Sequence, residues 1–556
     1  MSKYSIGIDF GSLSGRAILA DIENGNEIAS SIYSYPHGIM ESQLPDGTKL
    51  GMDWALQDPQ DYLEVIYHTI PQLLRISKVR AEDIIGIGID FTACTVLPVK
   101  SDGTPLCFLE EYKNEPHAYV KLWKHHSAQD QAYELNAIAS QRREPFLERY
   151  GGKVSLEWEV PKVWELVEEA PHIYDAMDYW IEAADWIVWK LCGSLVKSNC
   201  VAGFKGLWNE EEGYPGNNFF KALHHKLECY VEEKLNFPLA YIGERAGGLT
   251  AEMAKKIKLN EGTAVAVSII DAHAAIPAVG INSPGKMLAI MGTSSCHMVL
   301  GEKKCIVSGI CGVVNNGVIP GYYGYEAGQA CVGEYFAWFV DNCIPRAYKD
   351  AAKKNNLNIH EYLTEKAGKL KAGENGLLAL DWWNGNRSIL VDADLSGLII
   401  GMTIHTKPEE IYRALIEATA YGTRKIVETF RDNGVPVDEF YASGGISQKN
   451  TLAMQIYADV LKMPIKIAGH MNGSALGSAI HGAVAAGKQM GGYDDLSEAS
   501  TAMGRIKEVA YEPIEYNCTI YEQLYKEYIK LHDYFGKGDN DVMKLLRRMK
   551  REIKEK

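Results

Sequence analysis

The sequence lacks the short motifs by which most nucleotide-binding and metal-dependent enzymes are recognised. No GxxxxGK[ST] occurs, because no Gly-Lys pair is followed by Ser or Thr, and Gly86-Ile87-Gly88 meets Phe91 where GxGxxG requires its third glycine. A P-loop and a Rossmann phosphate turn are therefore excluded, and a nucleotide must be held by another device. There is no HExxH helix and no CxxC pair. The cysteines number eleven, spread from Cys94 to Cys518. An odd count without framework or metal spacing reads as free thiols in a reducing compartment. Long apolar runs are also missing. Asp9 interrupts the opening MSKYSIGIDFG too early for a signal peptide, and Thr263 to Ile281 is broken by Asp271, His273 and Pro277, which suits a buried strand and helix better than a membrane span. Basic charge is scarce: the net charge is −15. A nucleic-acid or anionic-membrane binder needs a basic face, so neither partner is expected. The expectation is a cytoplasmic enzyme or ATPase.

What is present is ample core material, 46% hydrophobic and 23% charged residues in a chain of 556. That length suggests two to four domains at ~150 residues each. An internal similarity bears on their construction. Ile8 to Leu19 reads IDFGSLSGRAIL and Ala289 to Leu300 reads AIMGTSSCHMVL. Setting Gly11 on Gly292, 281 residues away, pairs Ser12 with Thr293, Ser14 with Ser295, and Ile18-Leu19 with Val299-Leu300. Each copy is an apolar strand, a Gly-hydroxyl turn and a second apolar strand, which suggests two similarly built halves.

Strand and helix signals alternate along both halves. Helical spacing covers Asp61–Leu74, Asp130–Ala139, Lys162–Glu169 and Ile181–Leu191, with a strand at Ile84–Asp90 and a Gly-, Asn- and Trp-rich ordered loop from Cys200 to Phe220. The second half predicts helices at Glu409–Asp432, Ser447–Leu461 and Ala475–Ala486, and strands at Glu439–Ala442 and Ile465–Ala468. This is an α/β pattern with mixed or parallel sheets. The turn-forming run Asn282-Ser283-Pro284-Gly285 places the boundary between a domain at 1–281 and one at 282–500. A helical tail, 501–556, then ends in a stretch from Lys544 with seven basic and two acidic residues, read as a solvated terminal helix.

Four constellations could carry chemistry. Asp9-Phe10-Gly11-Ser12-Leu13-Ser14-Gly15-Arg16 offers backbone N–H groups, hydroxyls and a guanidinium to phosphate, with Asp9 placed to hold Mg²⁺ through water. Gly292-Thr293-Ser294-Ser295 is its companion. Ser443-Gly444-Gly445-Ile446-Ser447-Gln448-Lys449-Asn450 joins a strand to a helix so that a flat ring can lie against glycine backbone, with Ser447 as a helix cap. Asp271 ends an apolar strand before a helix, a position that suits a general base, and His273 reads as a packed core histidine. Each also has a plain structural reading as a hairpin, a turn or a cap.

In this order, IGIDFGSLSGRA, SLEWEVPKVWEL, IIDAHAA, IMGTSS and YASGGISQKNTLAMQIYADVL resemble the FGGY carbohydrate kinases, from Ile6 to about Gly487. The length, FGSLSGRA, NEPHAYVKLWKHH and AGFKGLWNEEEG resemble the members acting on L-ribulose. The resemblance implies two ribonuclease-H-like lobes of the actin-like ATPase class, an ATP–Mg²⁺ site between them, and a ketopentose deeper in the cleft. It assigns Asp9, Gly11, Ser12 and Arg16 to one phosphate motif, Gly292, Thr293 and Ser294 to the other, Gly444, Gly445 and Asn450 to adenosine, and Asp271 to the catalytic base. Ala93, Lys205 and Glu326 are assigned to the sugar, with Asp271. Three departures stand out. Trp123-Lys124-His125-His126-Ser127 replaces the usual W-x-D-x-R, Ser12 replaces Thr, and Ile446 replaces a third glycine. The implied reaction is ATP-dependent phosphorylation of L-ribulose at its 5-hydroxyl. The alternatives are a xylulose or polyol kinase of the same family, or a non-catalytic actin-like ATPase. A homodimer is left open.

Overall fold

A computed structural model describes residues 2–554. Two seven-stranded sheets dominate it. In the first, Tyr4–Phe10, Ser14–Asp21 and Glu27–Ser34 form an antiparallel meander, and Ile84–Phe91 runs parallel to Tyr4–Phe10 on its other side. Ala264–Ala266 extends that parallel edge. In the second sheet, Gly285–Met291, Ser295–Gly301 and Tyr323–Gln329 form the meander, with Val437–Ser443 parallel beside the first of these and Ile465–Ala468 beyond it. The strand plan is the same in both halves. This is the duplicated α/β arrangement that the repeat suggested.

The register corrects the repeat by one residue. Phe10 faces Gly15 across the first hairpin, but Met291 faces Ser295 across the second, so the second turn is shorter. Gly15, not Ser14, is therefore the structural counterpart of Ser295. Ile290 takes the place of Asp9, and only the first hairpin brings an acid to its strand end.

Most helices fall where apolar spacing puts them, at Pro59–Ser77, Gln129–Arg142, Glu159–Glu169 and Pro408–Asp432. Three readings change. The expected helix Ile181–Leu191 begins as a strand, Tyr179–Glu182, paired with Val96–Val99, and the helix is Ala183–Cys192. The expected loop from Cys200 contains helices Asn199–Lys205 and Asn217–Leu223. Every residue of the first is buried, so tertiary packing overrides its glycine. The expected helix Ser447–Leu461 is broken at Asn450, whose side chain accepts the Ala453 N–H at 2.9 Å and caps a new helix, Thr451–Leu461.

The two halves are joined by exchanged helices. Gly473–Ala486, from the second half, packs directly on the first sheet, backbone against backbone at three glycines of the strands. A methyl group at Gly7, Gly86 or Gly88 would overlap the backbone carbonyl of Ala475, Gly482 or Ser478 respectively. Asp271–Ala278, which follows the first sheet, packs against Gly473–Ala486, and Gly477 faces the Ala274 carbonyl just as closely. Ala274 and Ile276 share one buried cluster with Ile18 and Ala20 of the first sheet and Leu288, Met298 and Leu300 of the second. The expected helical tail 501–556 is helical only in part: Ile506–Tyr511 is a strand that pairs antiparallel with Ile465–Ala468 at the edge of the second sheet. Helices Glu515–Gly536 and Val542–Lys554 follow, with Tyr521, Tyr525 and Tyr528 of the former buried in the second lobe. Among the described residues no helix is long and apolar enough to cross a membrane.

Adding volume at a backbone-to-backbone contact forces the packed elements apart. Gly88→Ala is expected to destabilise the fold by ~1–3 kcal/mol, measured as a lower Tm and denaturant midpoint. An unchanged transition would mean that the helix does not lie this close to the sheet.

Candidate active site

Helix Asp271–Ala278 begins within electrostatic reach of Asp9, Glu326 and Lys205, and the Gly444 turn abuts Met291 at the end of the first strand of the second hairpin. In the first turn the Gly11 N–H donates to the Ser14 carbonyl at 3.0 Å, and the Tyr35 hydroxyl donates to the Gly11 carbonyl at 2.9 Å. Trp123 Nε1–H donates to Ser12 Oγ at 3.0 Å, and Gln57 Nε2 donates to the Ser12 carbonyl at 2.7 Å. Because Ser12 Oγ accepts from Trp123, its own proton stays available for a ligand oxygen. In the second turn the Gly292 N–H donates to the Ser294 carbonyl at 2.9 Å. The Gly292 and Thr293 carbonyls accept from the N–H groups of Gly333 and Val332 at 3.0 and 2.8 Å, which fixes the turn against helix Gly333–Asn342. Gly292 and Thr293 are exposed.

Gly444 has φ +90°, and a methyl group there would press on the Met291 backbone, so glycine is required at this crossing. The third turn is thus held directly beside the second hairpin. Gly445 is exposed with open space around its α-carbon. Ser447 does not cap the helix as expected; its hydroxyl donates back to the Gly444 carbonyl at 2.9 Å. Asn450 does cap a helix, which gives it a structural role of its own.

Asp9 pairs across the sheet with Arg16 on one side and Asp90 on the other, so the three side chains share a face. Asp90 is fully buried and accepts the Ser478 hydroxyl at 2.6 Å, while its Oδ1 has no partner. Burial and then the Asp9 charge hold the Asp90 carboxyl well above the ordinary carboxylate range. Burial raises Asp9 as well, opposed by its contact with Asp90 and by Arg16. Sequence reading noted only that a strand ends at Asp90. The parallel register that sets it against Asp9 is a tertiary fact.

Asp271 is half-buried at the first turn of Asp271–Ala278, where its Oδ1 accepts the Ala272 N–H at 2.7 Å. Burial, then the charge of Asp9 and more weakly that of Glu326, pushes its carboxyl up to about 7, against the N–H bond. On the far side, Glu326 is buried and receives Lys205 Nζ at 2.8 Å on Oε2 and Arg387 Nη2 at 2.5 Å on Oε1. His273 Nε2 lies 3.3 Å from Oε2, and its Nδ1 lies 3.2 Å from Cys200 Sγ. His273 is the bonded core histidine anticipated. Lys205, then the His273 bond and Arg387, hold Glu326 well below its usual range against the cost of burial. Lys205 is raised by Glu326 in turn. Arg387 was not found from sequence, since it lies in an unremarkable Asn-Gly-Asn-Arg loop. Ala93 is half-buried, packed where two apolar clusters meet.

The stretch 124–127 is occupied by structural bonds. His125 and Lys121 bind buried Glu165 at 3.0 and 2.8 Å, His126 contacts Glu157 at 3.1 Å, and Lys124 pairs with Glu41 at 2.6 Å. Among the described residues no group of three or more His, Cys, Asp or Glu forms a metal cage. The orphaned Asp90 oxygen beside half-buried Asp9 fits Mg²⁺, which is commonly held by one or two carboxylates with water and substrate phosphate.

Comparisons with known proteins identify the family. Curated relatives include proteins named Ribulokinase from Bacillus licheniformis, 59% identical over 97% of this chain and 98% of the relative, and from Geobacillus thermodenitrificans, 55% identical over 99% and 97%. One from Staphylococcus aureus strain Newman is 41% identical over 98% of both chains. Solved structures with the same fold include xylulose kinase from Rhodospirillum rubrum, with a TM-score of 0.76 and 22% identity over 95% of this chain and 98% of that one. Plasmodium falciparum glycerol kinase with ADP has a TM-score of 0.72 and 16% identity over 95% and 98%. Residues 4–278 match the N-terminal domain of the FGGY family of carbohydrate kinases and residues 287–486 its C-terminal domain, and the chain belongs to that family.

Proposed function

We propose that this chain transfers the γ-phosphoryl group of ATP to the 5-hydroxyl of L-ribulose, giving L-ribulose 5-phosphate and ADP. Relatives at 55–59% identity over nearly the full length are named Ribulokinase. The observation that carries the mechanism is the place of Asp271, whose carboxyl feels both Asp9 on the phosphate side and the Glu326–Lys205 pair on the sugar side.

Phosphoryl transfer asks the protein mainly for positioning and charge neutralisation. Asp271, with a carboxyl near neutrality, accepts the proton of the attacking hydroxyl. An alcohol is a far weaker acid than a carboxylic acid, so the proton moves late, when the bond to phosphorus has largely formed. The Gly11–Ser12 and Gly292–Ser294 turns and Arg16 bind the phosphate oxygens. Gly444, Gly445 and Asn450 hold the adenosine. Lys205 donates to sugar hydroxyls, ionised Glu326 accepts from them, and Ala93 closes the pocket. When bound near Asp9 and Asp90, Mg²⁺ supplies charge neutralisation for the phosphates. Lobe closure excludes water and limits ATP hydrolysis. We place the enzyme in the cytoplasm, where its eleven unpaired thiols would stay reduced.

The base must be ionised, so kcat/KM for the sugar should fall as pH drops through about 7. A limb near the ordinary carboxylate value instead would remove Asp271 from the role. Asp271→Asn should lower kcat by ~10²–10⁴-fold with ATP affinity nearly unchanged; near-normal turnover contradicts the assignment. Thr293→Val and Arg16→Ala should each weaken ATP binding more than sugar binding, as read by separate titrations. Unchanged ATP affinity and turnover in both would leave the hairpins a purely structural role.

A further inference from the structure

The loop between strands Leu378–Leu380 and Leu398–Ile400 runs past the strand of Glu326, and its Arg387 is bonded to that carboxylate. Its position is fixed by contacts that involve no ligand. The Ser388 hydroxyl accepts the Gly328 N–H at 3.1 Å, which stitches the loop to the strand of Glu326 itself. Asn386 and Asp392 exchange backbone bonds at 2.9 Å, so the segment between them is a closed loop. Beyond it, Asp392 pairs with Lys544 of the terminal helix at 2.8 Å, and Arg547 reaches the Leu395 carbonyl at 3.3 Å. From the first lobe Lys153 Nζ donates to the Val391 carbonyl at 3.3 Å.

We propose that Arg387 is a positioning residue for sugar recognition, holding Glu326 in the one orientation that presents an ionised oxygen to a substrate hydroxyl. This rests on the assignment of Glu326 to the sugar pocket. Lys205 and His273 both bind Oε2, and among the described residues Arg387 alone binds Oε1. Without the guanidinium the carboxylate is free to turn about its last bond toward Lys205 and pair with it bidentately. An ionised carboxylate has about four acceptor sites, so Arg387 and Lys205 together leave lone pairs for hydroxyls while fixing where they point. The Arg387 side chain is 31% exposed against 3% for Glu326, so the cation is anchored at the rim and the acceptor lies inside. A planar fork does this better than an ammonium group.

The test is a double-mutant cycle of Arg387→Gln and Glu326→Gln, with Arg387→Lys as the conservative variant, using the sugar that the wild-type enzyme turns over best. Arg387→Gln should raise KM for that sugar by about tenfold or more and leave KM for ATP little changed. Arg387→Lys should fall between. In the Glu326→Gln background the added effect of Arg387→Gln should vanish, because the residue acts through Glu326. Additive losses, or equal losses for sugar and ATP, overturn the proposal. If Arg387→Gln fails to fold, Arg387→Lys decides alone: a wild-type sugar KM overturns the inference. If Glu326→Gln itself leaves the sugar KM unchanged, the assignment beneath it fails. A wild-type preference for a sugar other than L-ribulose overturns only the choice of substrate.

Discussion

The site depends on the direct contact of one helix with one sheet. Gly473–Ala486 comes from the second half of the chain yet lies on the first sheet, close enough that Gly7, Gly86 and Gly88 admit no side chain. Three consequences follow. The lobes cannot be separated at residue 282 without removing a layer from the first. Ser478 is delivered to Asp90 at 2.6 Å, and the start of the same helix lies against Ser443 at the end of the strand that leads into Gly444. The reciprocal helix, Asp271–Ala278, is seated against its partner through Gly477, which fixes its first residue at the cleft.

The electrostatics of the cleft follow from this burial. Asp9, Asp90 and Asp271 are three acids drawn together, with Arg16 aligned to Asp9 and Lys205 acting on Asp271. Burial shifts all three carboxyls upward, and the Asp9 charge adds to the shift of Asp90 and Asp271. On the sugar side the balance is reversed. Glu326 has Lys205, Arg387 and His273 around it and stays ionised. Two carboxyl groups, of Asp271 and Glu326, are thus shifted in opposite directions, one up to about 7 and the other well below its usual range. The proposed reaction, which moves one proton while holding sugar hydroxyls, uses both.

Much of this was legible in the sequence, and what was missed has a common cause. The α/β pattern and the hint of two similar halves followed from local features, the Gly11 and Gly292 hairpins and alternating strand and helix periods, while the two-lobed fold was what the family resemblance implied. Lys205 and Glu326, assigned separately by resemblance, are joined in the structure by an ion pair at 2.8 Å. Asp90, Ser478 and Arg387 escaped because their significance lies in what stands opposite them, a parallel register, a helix from the other half and a loop 61 residues beyond Glu326. The one-residue slip in the repeat arose because the turns differ in length. The missed helix Asn199–Lys205 is stabilised by burial that composition does not reveal.

The central claim is that both halves grip one nucleotide through turns set by this packing. Hydrogen exchange of the full chain, with and without a non-hydrolysable ATP analogue and Mg²⁺, tests it most directly. The account predicts that amides in 11–14, 292–294 and 444–450 slow together on nucleotide binding, with the segments around Lys205 and Glu326 responding to the sugar instead. Protection confined to one lobe would contradict it.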